Sequence, residues 1–259
     1  MHHIGDEQDD TLCWTSARQV SMPSIIFAAV AILGVAVYYL FFSSASQSLG
    51  PVVARSETEE KLVALSFDDG PNEPFTGELA NILHEYNVRA TFFCVGQNVE
   101  RSPESLKRLD RDGHCIGNHS YSHSLITQLF PDRALQGLTR TQDIITATIR
   151  KRPAFFRPPW FFRTPAMLSR VRKLGLTTVN GTFGSYVEVF HVSGKYMAER
   201  ALKKTRPGAI LVFHDGYNNK GAERTETVDA IRLLIPQLLK AGYKFVTIPE
   251  LLSLPAYIG

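Results

Sequence analysis

The sequence predicts an α/β fold, a distorted (β/α)7 TIM-like barrel preceded by an N-terminal transmembrane helix. Three observations lead to this prediction. From residue 61 onwards, short apolar runs alternate with longer stretches of helical spacing. No Gly-rich phosphate loop accompanies these repeats, which favours a barrel over an open dinucleotide-binding sheet. An apolar run without any charge occupies residues 25–42.

The apolar run reads IIFAAVAILGVAVYYLFF and has no polar face, whereas a buried helix of a soluble protein would show one. Its terminal Tyr and Phe residues are typical of a membrane interface, and the flanking charges do not determine its orientation. A cleavable signal peptide is the alternative, but the run is longer than the usual signal core. We therefore predict a tail at residues 1–24, an anchor at 25–42, a linker at 43–60 and a globular domain at 61–259.

The secondary-structure elements of the globular domain follow from apolar runs and turn residues. Strands are predicted at residues 62–67, 90–95, 115–117, 155–156, 176–179, 209–213 and 245–248. Helices are predicted at residues 75–86, 103–112, 131–150, 165–174, 193–205 and 223–241, and a short helix closes the chain. Pro103 suits a first helical turn, and Gly175 and Gly242 suit helix ends. The alternation predicts a parallel sheet with helices outside it.

The composition favours a packed globular protein. Hydrophobic residues make up 44% of the 259 residues, and the net charge of +3 is carried by scattered Lys and Arg. This distribution does not indicate a nucleic-acid partner. The three cysteines form no CxxC motif, so neither a zinc ribbon nor a redox motif is supported. Cys94 and Cys115 are interpreted as buried thiols, with a disulfide in an oxidising compartment as the alternative.

Polar residues follow the predicted strands at their C-terminal ends, where barrels gather their chemistry. They are Asp68 and Asp69 after the first strand, His119 and His123 after the third, Arg157 after the fourth and His214 at the end of the sixth. Residues that are distant in the chain are therefore expected to meet at one opening of the barrel.

Asp69, His119 and His123 form a two-histidine, one-carboxylate set, which leaves coordination positions of a metal open for water and substrate. The two histidines share one face if their segment is helical, although paired surface histidines are also common. The two adjacent aspartates also suit a turn with Asp as a cap. A water molecule bound to such a metal has a lowered pKa and becomes a nucleophile.

Three further side chains complete the predicted chemistry. Asp68, beside the metal, is the candidate general base. Arg157 in the sequence RPPW is either a surface cation before a rigid turn or the partner that keeps Asp68 ionised. His214 is either a packed strand end or the general acid that protonates the departing amine.

These stretches together resemble the polysaccharide deacetylases of carbohydrate esterase family 4, the NodB-homology domain. Residues 66–71, SFDDGP, are similar to the first family motif, TFDDGP, and residues 119–123, HSYSH, to the second, H[ST]xxH. Residues 157–160, RPPW, are similar to the third motif, and residues 212–214, VFH, to the fifth, LxH. The resemblance covers about residues 61–252.

The resemblance implies a divalent ion held by Asp69, His119 and His123, most simply Zn²⁺, with Co²⁺ or Ni²⁺ as alternatives. It implies Asp68 as base and His214 as acid in the hydrolysis of an N-acetyl group to an amine and acetate. It also implies that the backbone N–H near Trp160 stabilises the oxyanion. Pro158 and Tyr186 are expected at the same substrate-binding region.

Two departures from the family pattern stand out. The third motif usually continues as RPPYG, whereas Trp160-Phe161-Phe162 follows here, and these aromatics are expected to line an apolar subsite or to touch lipid. The fourth motif usually supplies an aspartate and a tryptophan, but residues 179–186, VNGTFGSY, contain no aspartate. Ser185-Tyr186 stands in that place, and Glu188 or His191 are possible substitutes. Without that carboxylate, the pKa of His214 is expected to be less elevated.

Three hypotheses remain open from the sequence. The first is a deacetylase of N-acetylglucosamine-type glycans such as peptidoglycan or chitin-like polymers. The second is a deacetylase or deformylase of a lipid-linked amino sugar, and the third is a degenerate barrel that binds glycan without turnover. The expected partners are an N-acetylated glycan or glycolipid and the membrane, without nucleic acid. The expected location is a single-pass membrane protein with an extracytoplasmic catalytic domain.

Overall fold

The computed structural model describes residues 21–44, 46–184, 192–217 and 221–259. The chain divides into two compact units, Met1–Val37 and Tyr38–Gly259. Helix α1 (Met22–Phe41) is the one helix among the described residues that is long and apolar enough to cross a membrane, and none of its residues is buried. An apolar helix near the N-terminus fits either a membrane anchor or a signal sequence.

The second unit contains a parallel sheet surrounded by helices. Its strands are β1 (Leu62–Asp68), β2 (Thr91–Cys94), β3 (Cys115–Asn118), β4 (Arg152–Pro153), β5 (Phe155–Phe156), β6 (Thr177–Thr178), β7 (Phe183–Gly184), β8 (Ala209–His214), β9 (Lys244–Phe245) and β10 (Tyr257–Ile258). Its helices are α2 (Phe75–Glu85), α3 (Gly96–Arg101), α4 (Pro103–Arg111), α5 (Leu125–Gln128), α6 (Pro131–Ile149), α7 (Pro165–Lys173), α8 (Gly194–Lys204), α9 (Thr225–Lys240) and α10 (Ile248–Leu252). A single 3-10 turn spans Pro159–Phe161.

The sheet runs in the order β6-β5-β3-β2-β1-β8-β7, and β9 also pairs with β1. All of these pairings are parallel. The central strand β1 has β2 on one side and β8 on the other, and Asp68 at its end is in register with His214. This curled parallel sheet confirms the predicted class of fold. Every strand and helix predicted for the domain has a counterpart in the structure.

Several short elements were not predicted. Strands β4 and β10 pair with each other antiparallel, and β7 pairs with β8. Each of β4, β7 and β10 is only two residues long, which is too short for a periodic pattern to be recognised in the sequence. The last predicted strand extended to residue 248, whereas the helix α10 begins there. Thr247 and Glu250 form a capping box, in which the Thr247 N–H donates to the Glu250 carboxylate at 2.8 Å.

The segment just before β1 packs against the sheet. Val53 lies beside Val179, and its N–H donates to the Thr178 carbonyl at 3.0 Å. A few residues later, the Ser56 N–H donates to the Gly208 carbonyl at 2.9 Å. Gly208 has φ +75°, and a Cβ there would lie 2.1 Å from the Ser56 carbonyl oxygen, so the close approach requires glycine. The stretch predicted as a linker therefore contributes backbone pairing next to β6 and β8.

The alternation of side chains along β1 separates the core from the site. Val63, Leu65 and Phe67 belong to the large hydrophobic cluster that the surrounding helices cover. Ala64 belongs to the second cluster, on the opposite face, because successive strand residues point to opposite sides. Ser66 and Asp68 lie on the same face of β1 as Ala64, so this face is polar at the C-terminal end of the strand.

Both described cysteines are free and buried. Burial raises the pKa of Cys115 to about 12, and it also raises the pKa of Cys94. The interpretation as buried thiols is therefore confirmed, and these thiols are held in the unreactive protonated form.

We expect the buried His114 to make the stability of the domain depend on pH. Its Nδ1 accepts a hydrogen bond from the Ala90 N–H at 3.2 Å, and burial lowers its pKa from 6.5 to about 4. Between these two values the unfolded chain binds more protons than the folded chain, so stability falls as the pH falls through this window. The complete effect is on the order of 3 kcal/mol.

The measurement is the urea midpoint of the full chain in detergent at pH 7 and pH 5. His114→Gln should reduce the loss of stability between pH 7 and pH 5, whereas His84→Gln, on the exposed face of α2, should leave it unchanged. Equal pH dependence in His114→Gln and the unchanged chain would contradict this account.

Candidate active site

Asp69, His119 and His123 converge at the C-terminal end of β1. The Nε2 atoms of both histidines lie 3.2 Å from Asp69 Oδ1, and all three side chains are buried. One candidate ligand atom from each residue lies within 4.8 Å of the others. The structure thus brings together the three residues that the sequence predicts as metal ligands.

The HSYSH segment is a loop and not a helix, so the condition under which i and i+4 histidines share a helical face is not met. The Asn118 side chain at the end of β3 accepts from the Ser120 N–H at 2.8 Å, and the Ser120 hydroxyl accepts from the His123 N–H at 3.3 Å. Such local side-chain bonds compete with a helix. Ser120 and His123 have φ values of 67° and 51°, and this tight turn brings the second imidazole back towards the first.

A hydrogen bond fixes the tautomer of His119. Its Nδ1 lies 2.8 Å from the carbonyl oxygen of Arg157, which can only accept, so Nδ1 carries the proton. In the neutral imidazole Nε2 is then the acceptor, and it faces Asp69. A partner on the second ring nitrogen is the usual device that orients a metal-binding histidine.

The protonation states of the site suit a cation. Burial by itself would raise the pKa of Asp69, but the neighbouring His123, His119 and His214 outweigh it and hold that pKa well below its usual range. Burial lowers the pKa of His123 to about 4 in spite of Asp69, so its imidazole is neutral near pH 7. Carboxylate and neutral imidazole are the forms that bind a metal.

The residues present also pass a direct test of fit to a metal ion. His119 Nε2 lies 3.2 Å from Asp69 Oδ1 while its Nδ1 is engaged by the Arg157 carbonyl, so in the neutral imidazole two acceptor atoms face each other. Among the described residues, no hydrogen bond reaches Asp69 Oδ1, although the atom is buried. A divalent cation satisfies these acceptors together, because imidazole nitrogen and carboxylate oxygen are preferred ligands of such ions.

Left-handed backbone conformations cluster at this site. Asp69, His123 and Trp160 have φ values of 76°, 51° and 59°, which side chains other than glycine rarely adopt. The Asn98 side chain donates to the Asp69 carbonyl at 2.6 Å and supports that conformation. Strain of this kind persists where the surrounding structure enforces it, most often at functional sites.

Asp68 and Arg157 form a fully buried ion pair beside the candidate metal ligands. Arg157 Nη1 donates to Asp68 Oδ1 at 2.6 Å and to the Ser66 hydroxyl at 2.9 Å, and Nη2 donates to the Asn180 carbonyl at 2.8 Å. The guanidinium also lies 4.0 Å above the ring of Phe93. Arg157 is therefore the partner of Asp68, and not the surface cation that was the other possibility.

Removal of the charge of Arg157 should destabilise the domain strongly. Arg157→Met leaves Asp68 buried without its cation, and breaking a buried pair in this way costs about 3–5 kcal/mol. Arg140→Met removes an exposed pair with Glu100 and should cost about 1 kcal/mol or less. Thermal unfolding of both variants in parallel measures the difference, and equal losses would show that the Asp68–Arg157 pair is not the stabilising contact.

His214 ends β8 next to Asp68, as the register of the two strands requires. When His214 is charged, it contributes to the lowered pKa of Asp69. Asp215, which follows it, is buried, and its carboxylate accepts from the Thr76 hydroxyl at 2.5 Å. Burial raises the pKa of Asp215 to about 7, with Thr76 opposing and Asp69 adding to the shift.

The third motif forms the 3-10 turn at one side of the site. Pro158 precedes the turn in an extended conformation, and Trp160 lies within it. The indole ring lies 5.1 Å from the imidazole of His123 between ring centroids, and it is partly exposed. Tyr186, Ser185, Glu188 and His191, the residues considered for the fourth motif, lie outside the described residues.

Sequence reasoning missed three residues that hold the site in place. Asn98 lies on the short helix α3, which no periodicity indicates, and Gly216 packs against the Asp69 carbonyl, where a Cβ would lie only 2.3 Å away. Ser66 joins Arg157 to the Leu211 carbonyl, to which its hydroxyl donates at 2.9 Å. The position of Ser66 on the same strand face as Asp68 was the one signal available.

Comparison with known proteins gives consistent matches. The family model described as Polysaccharide deacetylase matches residues 55–179. Over 204 residues the chain is 30% identical to a peptidoglycan-N-acetylglucosamine deacetylase of Bacillus cereus, covering 78% of this chain and 93% of that protein. A crystal structure of a peptidoglycan N-acetylglucosamine deacetylase is similar with a TM-score of 0.76 at 30% identity, covering 80% of this chain and 95% of the other. A pseudoenzyme of carbohydrate esterase family 4 from Bacillus anthracis is similar with a TM-score of 0.70 at 25% identity, covering 78% and 69% of the two chains.

A metal-dependent hydrolase is the class of protein that this curled sheet and its buried ligand set define. The sequence similarity to deacetylases extends over most of the domain. The chain belongs to the polysaccharide deacetylase family, carbohydrate esterase family 4, which confirms the resemblance seen in its motifs.

Proposed function

We propose that this chain hydrolyses the N-acetyl group of N-acetylglucosamine-type sugars in a glycan such as peptidoglycan. The observation that carries the proposal is the convergence of Asp69, His119 and His123 beside the buried Asp68–Arg157 pair. Relatives that support the substrate class include deacetylases of peptidoglycan N-acetylglucosamine and N-acetylmuramic acid and a chitooligosaccharide deacetylase.

Asp69, His119 and His123 would hold the divalent ion, with Zn²⁺ as the proposed metal and Co²⁺ or Ni²⁺ as functional substitutes. When bound, the ion supplies a water molecule of lowered pKa and polarises the acetyl carbonyl. The hydrogen bond between His119 Nδ1 and the Arg157 carbonyl would orient this imidazole so that its Nε2 could bind the ion.

Asp68 is the proposed general base. The contact with Arg157 holds its carboxylate in one orientation next to the ligand set. It would accept a proton from the attacking water, and its position directly before Asp69 in the chain supports this role. Since adjacent residues in a strand and turn direct their side chains differently, one aspartate binds the ion and the other accepts the proton.

His214 is the proposed general acid. It would donate a proton to the amide nitrogen as the C–N bond breaks. The overall reaction consumes one water molecule and one N-acetyl group and gives acetate and a free amine. The backbone N–H near Trp160 is proposed to stabilise the oxyanion, with Pro158 holding the turn in place. Tyr186 is proposed to border the sugar.

The test is acetate release by the metal-loaded full chain in detergent. N-acetylglucosamine oligosaccharides and purified peptidoglycan are offered separately, and the de-N-acetylated oligosaccharide is the matched control without an acetyl group. We expect acetate from the acetylated substrates in proportion to bound metal, with Zn²⁺, Co²⁺ and Ni²⁺ compared after chelation. A fully metal-loaded, folded chain that releases no acetate would instead support a glycan-binding barrel without turnover.

We also infer that helix α1 is an uncleaved membrane anchor and that the domain from residue 61 onwards is extracytoplasmic. Support comes from its length and from the absence of charge over residues 25–42. Membrane flotation combined with protease accessibility of intact cells tests the inference. A shortened chain that is found free of the membrane would identify the helix as a cleaved signal sequence.

A further inference from the structure

An exposed apolar surface adjoins the active site. It consists of Leu125, Ile126, Leu129, Phe130 and Trp160, whose exposed fractions are 37%, 68%, 54%, 50% and 40%. Four of these residues lie on α5 or directly after it, and α5 contacts the turn that carries Trp160. We call these five residues the apolar rim.

The composition of the apolar rim does not fit a sugar. Single exposed apolar residues need no explanation, but a contiguous group of large ones marks a surface for a partner or a membrane. Leu125, Ile126 and Leu129 are aliphatic and offer no hydrogen bonds to sugar hydroxyls. The ring of Trp160 is tilted by 49° against that of His123 at 5.1 Å between centroids, so this member of the rim borders the ligand set.

The same loop holds the end of the apolar helix. Phe162, two residues after Trp160, contacts Phe41 and Phe42 with ring centroids 6.0 and 5.3 Å apart. Tyr38 in turn stacks on Phe42 at 6.4 Å. Phe162, in the loop after the third motif, therefore forms one aromatic cluster with Tyr38, Phe41 and Phe42 within the second unit.

A buried arginine fixes this junction. The Arg163 N–H donates to the Phe41 carbonyl at 3.2 Å, and its Nη2 donates to the carbonyls of Ser43 and Ser46 at 2.6 and 2.7 Å. Its Nη1 donates to the Phe161 carbonyl at 2.9 Å. Because Arg163 is completely buried, these bonds are shielded from water and hold the chain after the apolar helix against the loop of the apolar rim.

The charge around the apolar rim suits a lipid headgroup layer. The Arg133 guanidinium lies 5.0 Å above the ring of Phe130, so an apolar ring is covered by a cation. Long basic side chains arranged in this way keep their charge at the level of phosphates while the apolar part enters the membrane. Aromatic residues such as Tyr38 and Trp160 are the ones that favour the same layer.

We propose that the apolar rim inserts into the interfacial layer of the phospholipid bilayer, so that the active site opens at the membrane surface. The inference rests on the proposed anchor, because the junction at Arg163 ties the rim to the point where the apolar helix ends. The site then acts on N-acetyl sugars held close to the membrane, which includes sugars attached to a lipid.

The first experiment places a polarity-sensitive nitrobenzoxadiazole label on Ile126→Cys in full-length protein with Cys13→Ser. Cys94 and Cys115 are buried and remain unlabelled. The matched control is Leu233→Cys, an exposed leucine on α9, which packs against α2 and α8. The protein is reconstituted into phosphatidylcholine–phosphatidylglycerol vesicles with or without a lipid that carries a quencher near its headgroup.

We expect blue-shifted emission and lipid-dependent quenching for the label at residue 126 and neither effect at residue 233. Flotation of the vesicles distinguishes failure of the membrane anchor from failure of the insertion of the apolar rim. A chain that does not float with the vesicles overturns the anchor and the rim together, whereas a floating chain with a water-exposed label at residue 126 overturns the rim alone. A label that is shielded but not quenched by lipid indicates a protein partner and also overturns the proposal.

The second experiment measures the consequence for catalysis. Ile126→Ser/Phe130→Ser is compared with Leu233→Ser/Leu239→Ser on a lipid-linked N-acetylglucosamine substrate in vesicles and on a soluble oligosaccharide. The ratio of the two rates should fall roughly tenfold in the first variant and stay constant in the second. An unchanged ratio overturns the proposal, while absence of acetate from both substrates in the parent protein contradicts the deacetylase function itself.

Discussion

Asp68→Asn is expected to lower kcat for acetate release by about 10²–10⁴-fold, the range for loss of a general base. Asparagine has the same shape as aspartate but cannot accept the proton from water. Asp68 is not one of the three residues that share a potential ion, so metal content should stay at the level of the unchanged chain. The measurement combines acetate release with metal analysis of the same protein sample.

The substitution also removes the charge partner of the buried Arg157, so folding must be verified separately. Thermal unfolding of the metal-loaded variant provides that check, and Asp112→Asn, an exposed carboxylate after α4, is the matched control. A folded, metal-loaded Asp68→Asn protein with a rate within twofold of the unchanged chain would remove Asp68 from the mechanism.

Loss of a metal-binding histidine is the second prediction with a large effect. His123→Ala should bind the ion far more weakly and lower the rate by about 10³-fold or more, because the ion contributes several kcal/mol to the transition state. His123 has the depressed pKa of a neutral ligand and directs Nε2 at Asp69. Metal titration followed by activity measurement separates weak binding from lost chemistry.

Excess metal should restore part of the activity of His123→Ala, since Asp69 and His119 still offer two ligands. His84→Ala, which removes an exposed histidine on α2, serves as control and should bind metal normally. Chelation of the unchanged chain should reproduce the low rate. Activity that survives both chelation and His123→Ala would be incompatible with a metal-dependent mechanism.

The central part of the fold was predictable because its signals are local. The apolar run of β1 stops at Asp68, and strict alternation along it puts Ser66 and Asp68 on one face and Phe67 on the other. Helix ends at Gly175 and Gly242 were readable for the same reason, since both residues have positive φ.

The residue types of the site were predictable, but the backbone conformation that brings them together was not. The spacing of His119 and His123 suggested a helical face, whereas a turn with left-handed residues brings them together. That turn depends on Asn118 and Ser120, whose side chains form bonds with the backbone that no periodicity reveals. Motif similarity grouped His119 and His123 with Asp69 without reference to the local conformation, and the structure brings the three side chains together.

Contacts between distant parts of the chain were not predictable. No local pattern in the sequence marks Arg163, yet it is buried and donates to the carbonyls of Phe41, Ser43 and Ser46. Similarly, the pairing of Val53 beside Val179 joins segments that are more than a hundred residues apart. Burial of a charged or linker residue depends on partners that a single sequence does not show.

Anomalous X-ray diffraction at the zinc edge, on crystals grown with Zn²⁺, tests the central claim most directly. The account predicts one strong peak about 2.0–2.2 Å from the Nε2 atoms of His119 and His123 and from a carboxylate oxygen of Asp69. A peak bound by other residues, or one that leaves either histidine beyond coordination distance, would contradict it.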